Sequence, residues 1–116
     1  MDSLLPSVPT LLVLEVLDGA PGHGYEIARR IEERSERALR LKEGTLYPLL
    51  YRLEHDDLVV GEWREVPNGR RLRVYTLTEA GSRRLVQSRS EWTTRARGVD
   101  RILGQHREVT TALGPA

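Results

Sequence analysis

Along the chain, apolar residues first crowd together, then recur at helical spacing, then alternate, and finally return at helical spacing. Leu11, Leu12, Leu14, Val16 and Leu17 follow Pro9-Thr10 and predict a first helix that is apolar on nearly all sides, stopped by Asp18-Gly19-Ala20-Pro21-Gly22. Such a helix belongs beneath the rest of a domain. His23-Gly24 opens a second segment, in which Ile27, Ala28 and Ile31 share one face while Glu26, Arg29, Arg30, Glu32 and Glu33 take the other. After a polar stretch over residues 35–40, Leu46, Leu49, Leu50 and Leu53 recur at i, i+3, i+4 and i+7 and predict a third helix. Pro48 complicates its start. Proline is tolerated in a first turn but costs ~3 kcal/mol in a helix interior, where it lacks the N–H and clashes with the carbonyl four residues back. Local rules alone start this helix near Tyr47.

Val59 to Val66 and Leu72 to Leu77 are rich in Val, Trp, Tyr, Thr and Leu, and Pro67-Asn68-Gly69 between them is a turn signal. The pattern predicts a β-hairpin with a basic tip at Arg70, Arg71 and Arg73. Thr78 then offers a helix N-cap with Glu79 at the positive end of the dipole, and a last helix runs toward Gln105. On it Leu85, Trp92, Ala96, Val99 and Leu103 are spaced 7, 4, 3 and 4 apart, an a/d seam with Arg89 at its one polar position. A seam beyond the compact domain calls for a partner, so these five residues are the predicted homodimer interface.

The expected architecture is mainly α with a small sheet (α+β): a winged helix-turn-helix over residues 1–78, a dimerisation helix over 79–106 and a flexible tail over 107–116, where Gly114-Pro115-Ala116 has nothing to pack against.

Composition changes this picture only at its edges. At 116 residues the chain is one domain with a modest core, which a second subunit would enlarge. With 39% hydrophobic and 30% charged residues it is too apolar for a disordered chain, and a net charge of +1 leaves the placement of each Arg and Lys to decide what it attracts. Zero cysteines exclude disulfides, thiol redox sensing and Cys-ligated zinc. The N-terminus lacks a signal-peptide pattern, and no uncharged stretch approaches the ~20 residues of a membrane span. A soluble, cytoplasmic protein is expected. A phosphate-binding glycine loop, a metal cluster and a convergent Ser/His/Asp set are all missing, so neither catalytic residues nor a cofactor are expected. His23, His55 and His106 are isolated, and His23 beside two glycines reads as a turn residue rather than a metal ligand.

The hairpin and third helix together imply duplex DNA as partner. The major groove admits one α-helix; phosphate contacts set register and base-edge contacts give sequence preference. Thr45, Tyr47, Tyr51 and Arg52 are the candidates on the third helix. If its leucines face the core, the two tyrosines lie one turn apart on a more exposed face, where they either meet DNA or pack their rings on the domain. Lys42 either reaches a phosphate at the groove edge or stays solvated. Arg70, Arg71 and Arg73 fall within four residues at a hairpin tip, suited to backbone or minor-groove contact. Tyr25 either touches a phosphate or packs on the helix-turn-helix. Trp63 reads as wing packing and Trp92 as dimer core; either also suits the border of a cavity for a small hydrophobic effector, with Trp92 as the candidate.

Several ordered motifs carry a resemblance. Gly22-His23-Gly24-Tyr25-Glu26-Ile27, then Gly44-Thr45-Leu46-Tyr47-Pro48 with Leu50, Arg52-Leu53-Glu54 and Leu58, then Gly69-Arg70-Arg71 and Tyr75 with Leu77-Thr78-Glu79-Ala80-Gly81, together resemble the PadR family of bacterial transcriptional regulators. The likeness spans residues 10 to 103 or so. Its length and single C-terminal helix are similar to the short subfamily, which implies a helix that builds a homodimer and a third helix that enters the major groove, starting near Glu43. Three departures stand out. Lys42 occupies a position where the family commonly has a capping Ser or Asn, which weakens capping by ~1 kcal/mol. Val74 precedes Tyr75 where the wing often carries two aromatics. Trp92 lies seven residues before Val99, so the ligand pocket of one multidrug-binding branch does not carry over to it.

The function implied is a homodimeric, sequence-specific regulator of transcription, a repressor that reads an inverted-repeat operator, with release by a small hydrophobic ligand as an extension. The alternative is a winged-helix protein-interaction module without DNA binding.

Overall fold

The structure is a computed structural model that describes residues 4–113, and the side chains of residues 8–104. Its elements are α1 (Leu4–Gly19), α2 (Gly24–Arg34), α3 (Glu43–His55), β1 (Val59–Glu65), β2 (Arg71–Leu77) and α4 (Glu79–Leu113). Helices with one small antiparallel sheet make up the α+β winged helix-turn-helix that the sequence implied.

Val13, Leu14, Ile27, Leu46, Leu50 and Leu85 form the centre of the core, so α1 lies under α2, α3 and the start of α4. Begun at Leu4 with Pro9 inside, α1 opens before Leu11, where the apolar run places its start. Each of the next two helices stops by the same device. Asp57 takes a left-handed φ of 60°, the Leu58 N–H donates to the Leu53 carbonyl at 2.9 Å and the Asp57 N–H to that of Glu54 at 3.0 Å. This is the Schellman pattern, and it turns the chain directly from α3 into β1. At the end of α2, Glu36 adopts a φ of 52° while Arg37 N–H bonds the Glu32 carbonyl.

In the sheet Val59 pairs with Leu77 and Trp63 with Arg73. Gly69, at a φ of 84°, closes the tip, with its N–H on the Val66 carbonyl at 2.9 Å. That conformation is one a glycine takes without strain. A short bridge extends the sheet: Gly22 and Tyr75 exchange backbone hydrogen bonds of 2.9 and 3.1 Å, tying the entry of α2 to the wing. Thr78 caps α4, its Oγ1 accepting from the Gly81 N–H at 3.0 Å and donating to the Asp57 carbonyl at 2.7 Å. At Gly81 a Cβ would stand 2.1 Å from the Leu58 carbonyl oxygen, so only glycine lets α4 start this close to the end of α3. Helix α4 reaches Leu113, beyond the 106 expected, because the first strong stop signal is Gly114-Pro115. The frayed ending assigned to residues 114–116 lies outside the described residues.

Candidate nucleic-acid interface

Helix α3 divides its residues cleanly. Leu46, Leu49, Leu50 and Leu53 are buried, whereas Thr45, Tyr47, Tyr51 and Arg52 are exposed. The helix begins at Glu43, as the resemblance implied and local rules did not. Starting there places the carbonyl that Pro48 leaves unpaired on Gly44, whose missing side chain faces open space. Lys42 is the N-cap, extended in backbone and without a side-chain cap bond, and its carbonyl accepts from the Thr45 and Leu46 N–H groups at 3.0 and 2.9 Å.

The two tyrosines differ. Tyr47 leans on α2: a Cβ at Gly24 would meet its hydroxyl at 2.6 Å, and the residue is 47% exposed. Tyr51, one turn later, is 71% exposed. Its ring is the larger free surface on this face. Tyr25, at the start of α2, also stands out, with Arg29 6.0 Å above its ring and His23 stacked 6.4 Å away. His23 itself caps α2: its Nδ1 accepts from the Glu26 N–H at 3.4 Å, and Glu26 accepts from the His23 N–H at 3.1 Å. That reciprocal box accounts for the histidine, and among the described residues no group of three His, Cys, Asp or Glu side chains gathers for a metal.

One face of the wing turns toward α3. It carries Trp63, Arg71, Arg73 and Tyr75, with the Arg71 and Arg73 guanidinium carbons 5.7 and 5.5 Å from the Trp63 ring centre. Arg73 also forms a hydrogen-bonded ion pair with Glu54 on the last turn of α3. Tyr75 sits deepest; burial pushes its phenol above the usual range, and the Glu54 charge adds to this. Arg70 stays at the exposed tip, where its N–H donates to the Asn68 Oδ1 at 3.0 Å. A groove of about 450 Å³ runs between Tyr47, Tyr51, Glu54, His55, Arg73 and Tyr75. A second, of about 260 Å³, continues past Trp63 toward Arg70, Arg71 and the start of α2. Shared walls at Tyr47, Arg73 and Tyr75 make the two one surface with cations along its outer rim. Lys42 lies apart, in a groove of about 400 Å³ with Tyr25, Arg29 and Arg40. Sequence reasoning missed Arg40, Glu54 and the cradle for Arg73. One signal for the cradle was legible: a glycine inside a strand, Gly61, marks close approach of another group, here the Arg73 side chain.

Away from that face, α4 carries the predicted seam. Leu85 is 1% exposed and belongs to the core of its own chain, which removes it from any outward surface. Arg89, itself exposed, is engaged within its own chain: its guanidinium holds Glu15 of α1 through bonds of 2.7 and 2.9 Å and reaches Asp18 at 3.5 Å. Its hydrogen bond and charge hold the Glu15 carboxyl below its ordinary range against a smaller effect of burial, and raise the Arg89 guanidinium correspondingly. Beyond Arg89, Trp92, Val99 and Leu103 are exposed and Ala96 half-buried, and Ile102, which the seam did not include, is 84% exposed. No described helix is long and apolar enough to cross a membrane.

Comparison with known proteins agrees with this geometry. The model of the transcriptional regulator PadR-like family matches residues 13–87, from α1 into α4. Transcriptional regulator Rv3488 of Mycobacterium tuberculosis is 42% identical over 76 residues, 66% of this chain and 70% of that protein. Among solved structures, a PadR family transcription regulator from Clostridium difficile superposes with a TM-score of 0.66 at 32% identity, covering 84% of this chain and 96% of that one. A PadR-like transcriptional regulator from Bacillus cereus, at 23% identity, shares the fold with a TM-score of 0.71 over 87% of this chain and 96% of its own. The match excludes an enzyme and includes the wing and third helix whole: the chain belongs to the PadR-like family of transcriptional regulators.

Proposed function

We propose that the protein is a homodimeric repressor that lays α3 of each subunit in successive major grooves of an inverted repeat and rests its wing on the flanking backbone. The observation that carries this reading is the surface shared by the two grooves, on which Tyr47 and Tyr51 of α3 and Arg70 and Arg71 of the wing stand exposed, with no acid, among the described residues, within ion-pair distance of either wing arginine; Thr45 and Arg52 are exposed on the same helix. Thr45, Tyr47, Tyr51 and Arg52 are assigned to base edges, Lys42, Arg70 and Arg71 to phosphates. The apolar stripe of Trp92, Ala96, Val99 and Leu103 supports pairing of two copies along α4. Repression follows from occupancy, since a dimer seated on an operator excludes other proteins from it. A flat apolar effector bordering Trp92 would release DNA only by binding better to a dimer whose recognition helices are spaced wrongly.

The test is a fluorescence-anisotropy titration of the DNA upstream of the protein's own gene and of a scrambled duplex, at several salt concentrations. Preference for the upstream duplex is expected, with a log–log salt slope of about −0.9 per phosphate neutralised. Replacing Arg70 and Arg71 with alanine should weaken binding to both duplexes and flatten the slope. Absence of binding to either duplex at low salt would put the protein-interaction module in its place.

A further inference from the structure

Among the wing arginines Arg73 stands apart. Its guanidinium is bound to the Glu54 carboxylate, its side chain is 30% exposed, and its path to α3 crosses the bare backbone of Gly61, where a Cβ would come within 2.8 Å of Nε and 3.1 Å of Cζ. The same guanidinium lies against the Trp63 ring, which also carries Arg71. A cation already neutralised by a carboxylate has little charge left for a phosphate, whereas Arg71 keeps its own.

We infer that Arg73 is a positioning residue and not a DNA contact: anchored by Glu54 of α3, it fixes the Trp63 ring and through that ring aims Arg71 at the backbone. Glu54 follows Tyr51 by three residues, so the tether ties the aim of the wing to the face of the recognition helix. The relay deepens the DNA-binding reading and rests on it for its functional consequence. It also makes a counter-intuitive prediction. Deleting an acid beside a DNA-binding surface ordinarily strengthens binding; deleting Glu54 should weaken it.

The quenching measurements use the full chain carrying Trp92→Phe, which leaves Trp63 as the only tryptophan. Acrylamide quenching of the free protein is measured in that background for Glu54→Ala, Arg73→Ala and Gly61→Ala, and anisotropy titrations at several salt concentrations, which include Arg71→Ala, use the chain with Trp92 retained. Gly61→Ala displaces the arginine without deleting any charge. All three tether variants should raise the quenching of Trp63 and weaken binding roughly fivefold, the upper range for a partly exposed ion pair, with the salt slope unchanged. Arg71→Ala should instead reduce the slope by about 0.9 for each phosphate that it leaves without a cation. The inference is overturned if Arg73→Ala flattens the slope as Arg71→Ala does, if Glu54→Ala tightens binding, or if Trp63 quenching is the same in all three tether variants as in the parent. Should the chain with Trp92 retained bind no duplex at all, the DNA-binding reading fails, and the quenching result alone decides whether the tether holds the ring.

Discussion

An arginine–carboxylate pair stands at the recognition face, where Arg73 of the wing meets Glu54 of α3, and another at the root of the outer half of α4, where Arg89 meets Glu15 of α1. Past those pairs the two regions diverge. The first surface ends in tyrosines and cations, among them Tyr51, Arg52, Arg70 and Arg71; the second ends in Trp92, Val99, Ile102 and Leu103. Polar groups lose little by staying in water, whereas an apolar stripe on a lone helix forfeits burial worth about 25 cal/mol per Å². The first surface therefore stays in water at little cost, while the second forfeits burial for as long as it is uncovered. Each arginine is paired with a carboxylate of its own chain, and the residues beyond it face outward.

The most damaging way to break the comparison is to cut the point where both regions meet the core. Gly81 starts α4 against the Leu58 carbonyl that closes α3, and Gly81→Ala places a methyl group 2.1 Å from that backbone oxygen. Backbone has to shift, so destabilisation of about 3 kcal/mol is expected, at the upper end for overpacking. Urea unfolding followed by circular dichroism would show it as a lower midpoint, and an unchanged midpoint would mean that α4 is free to move off α3.

Next in size is a change confined to the apolar region. Val99→Asp puts a charge on the stripe without touching the core, since Val99 is exposed in the single chain. If two copies pair there, burying an unpaired carboxylate is prohibitive and the variant should be monomeric by light scattering, with its folded helix content intact. A dimer that survives the substitution would place the interface elsewhere and leave the stripe without an occupant.

The two regions also differed in how openly the sequence displayed them. Leucine spacing in α3, the Asn68-Gly69 turn and the Thr78 cap are local signals, and each appears where the pattern placed it. The a/d pattern on α4 was ambiguous for a physical reason: one periodicity serves both a core-facing and a partner-facing stripe, so Leu85, buried in its own chain, looked the same as Trp92. Arg89 likewise read as a polar seam position because its partners Glu15 and Asp18 lie more than 70 residues away in sequence. Pro9 misled in the opposite sense, since local rules treat an interior proline as a boundary and α1 runs through it. At the recognition face the residue types were legible but their pairing was not. Gly61 signalled that some group comes close to the strand, but only the fold shows that the group is Arg73 rather than Arg71 and brings Glu54 across to it.

Within the recognition face, Tyr51→Ala sharpens the contrast between the two tyrosines. Tyr51 is the freer, and Tyr47 has its ring on Gly24. If Tyr51 touches base edges, its loss should reduce preference for the operator over a scrambled duplex by up to tenfold, about the lower end of a specific base contact, while the salt slope stays constant. Tyr47→Ala, by contrast, should lower the unfolding midpoint as well as alter binding. Equal losses on both duplexes for Tyr51→Ala would reassign it to the backbone.

The smallest effect belongs to the joint between α1 and α4, and its sign follows from Glu15. The Arg89 guanidinium holds the folded-state pKa of Glu15 below its ordinary 4.5, so the unfolded chain takes up the proton first as pH falls. The clasp therefore contributes its full stability above about pH 4.5 and loses it as the pH drops through the lower, folded value. Both side chains are partly open to water, at 34% and 46% exposure, and solvent screening holds such a pair to about 0.2–1 kcal/mol. Glu15→Gln should accordingly lower the urea midpoint slightly at pH 7, and the difference should shrink as the pH falls below 4.5 and vanish once the folded carboxyl is protonated. Raising the salt concentration at pH 7 should shrink the gap between the two proteins. A gap that persists unchanged as the pH falls would assign the stabilisation to the packing of the Glu15 stem on α1 and remove the charge from the joint.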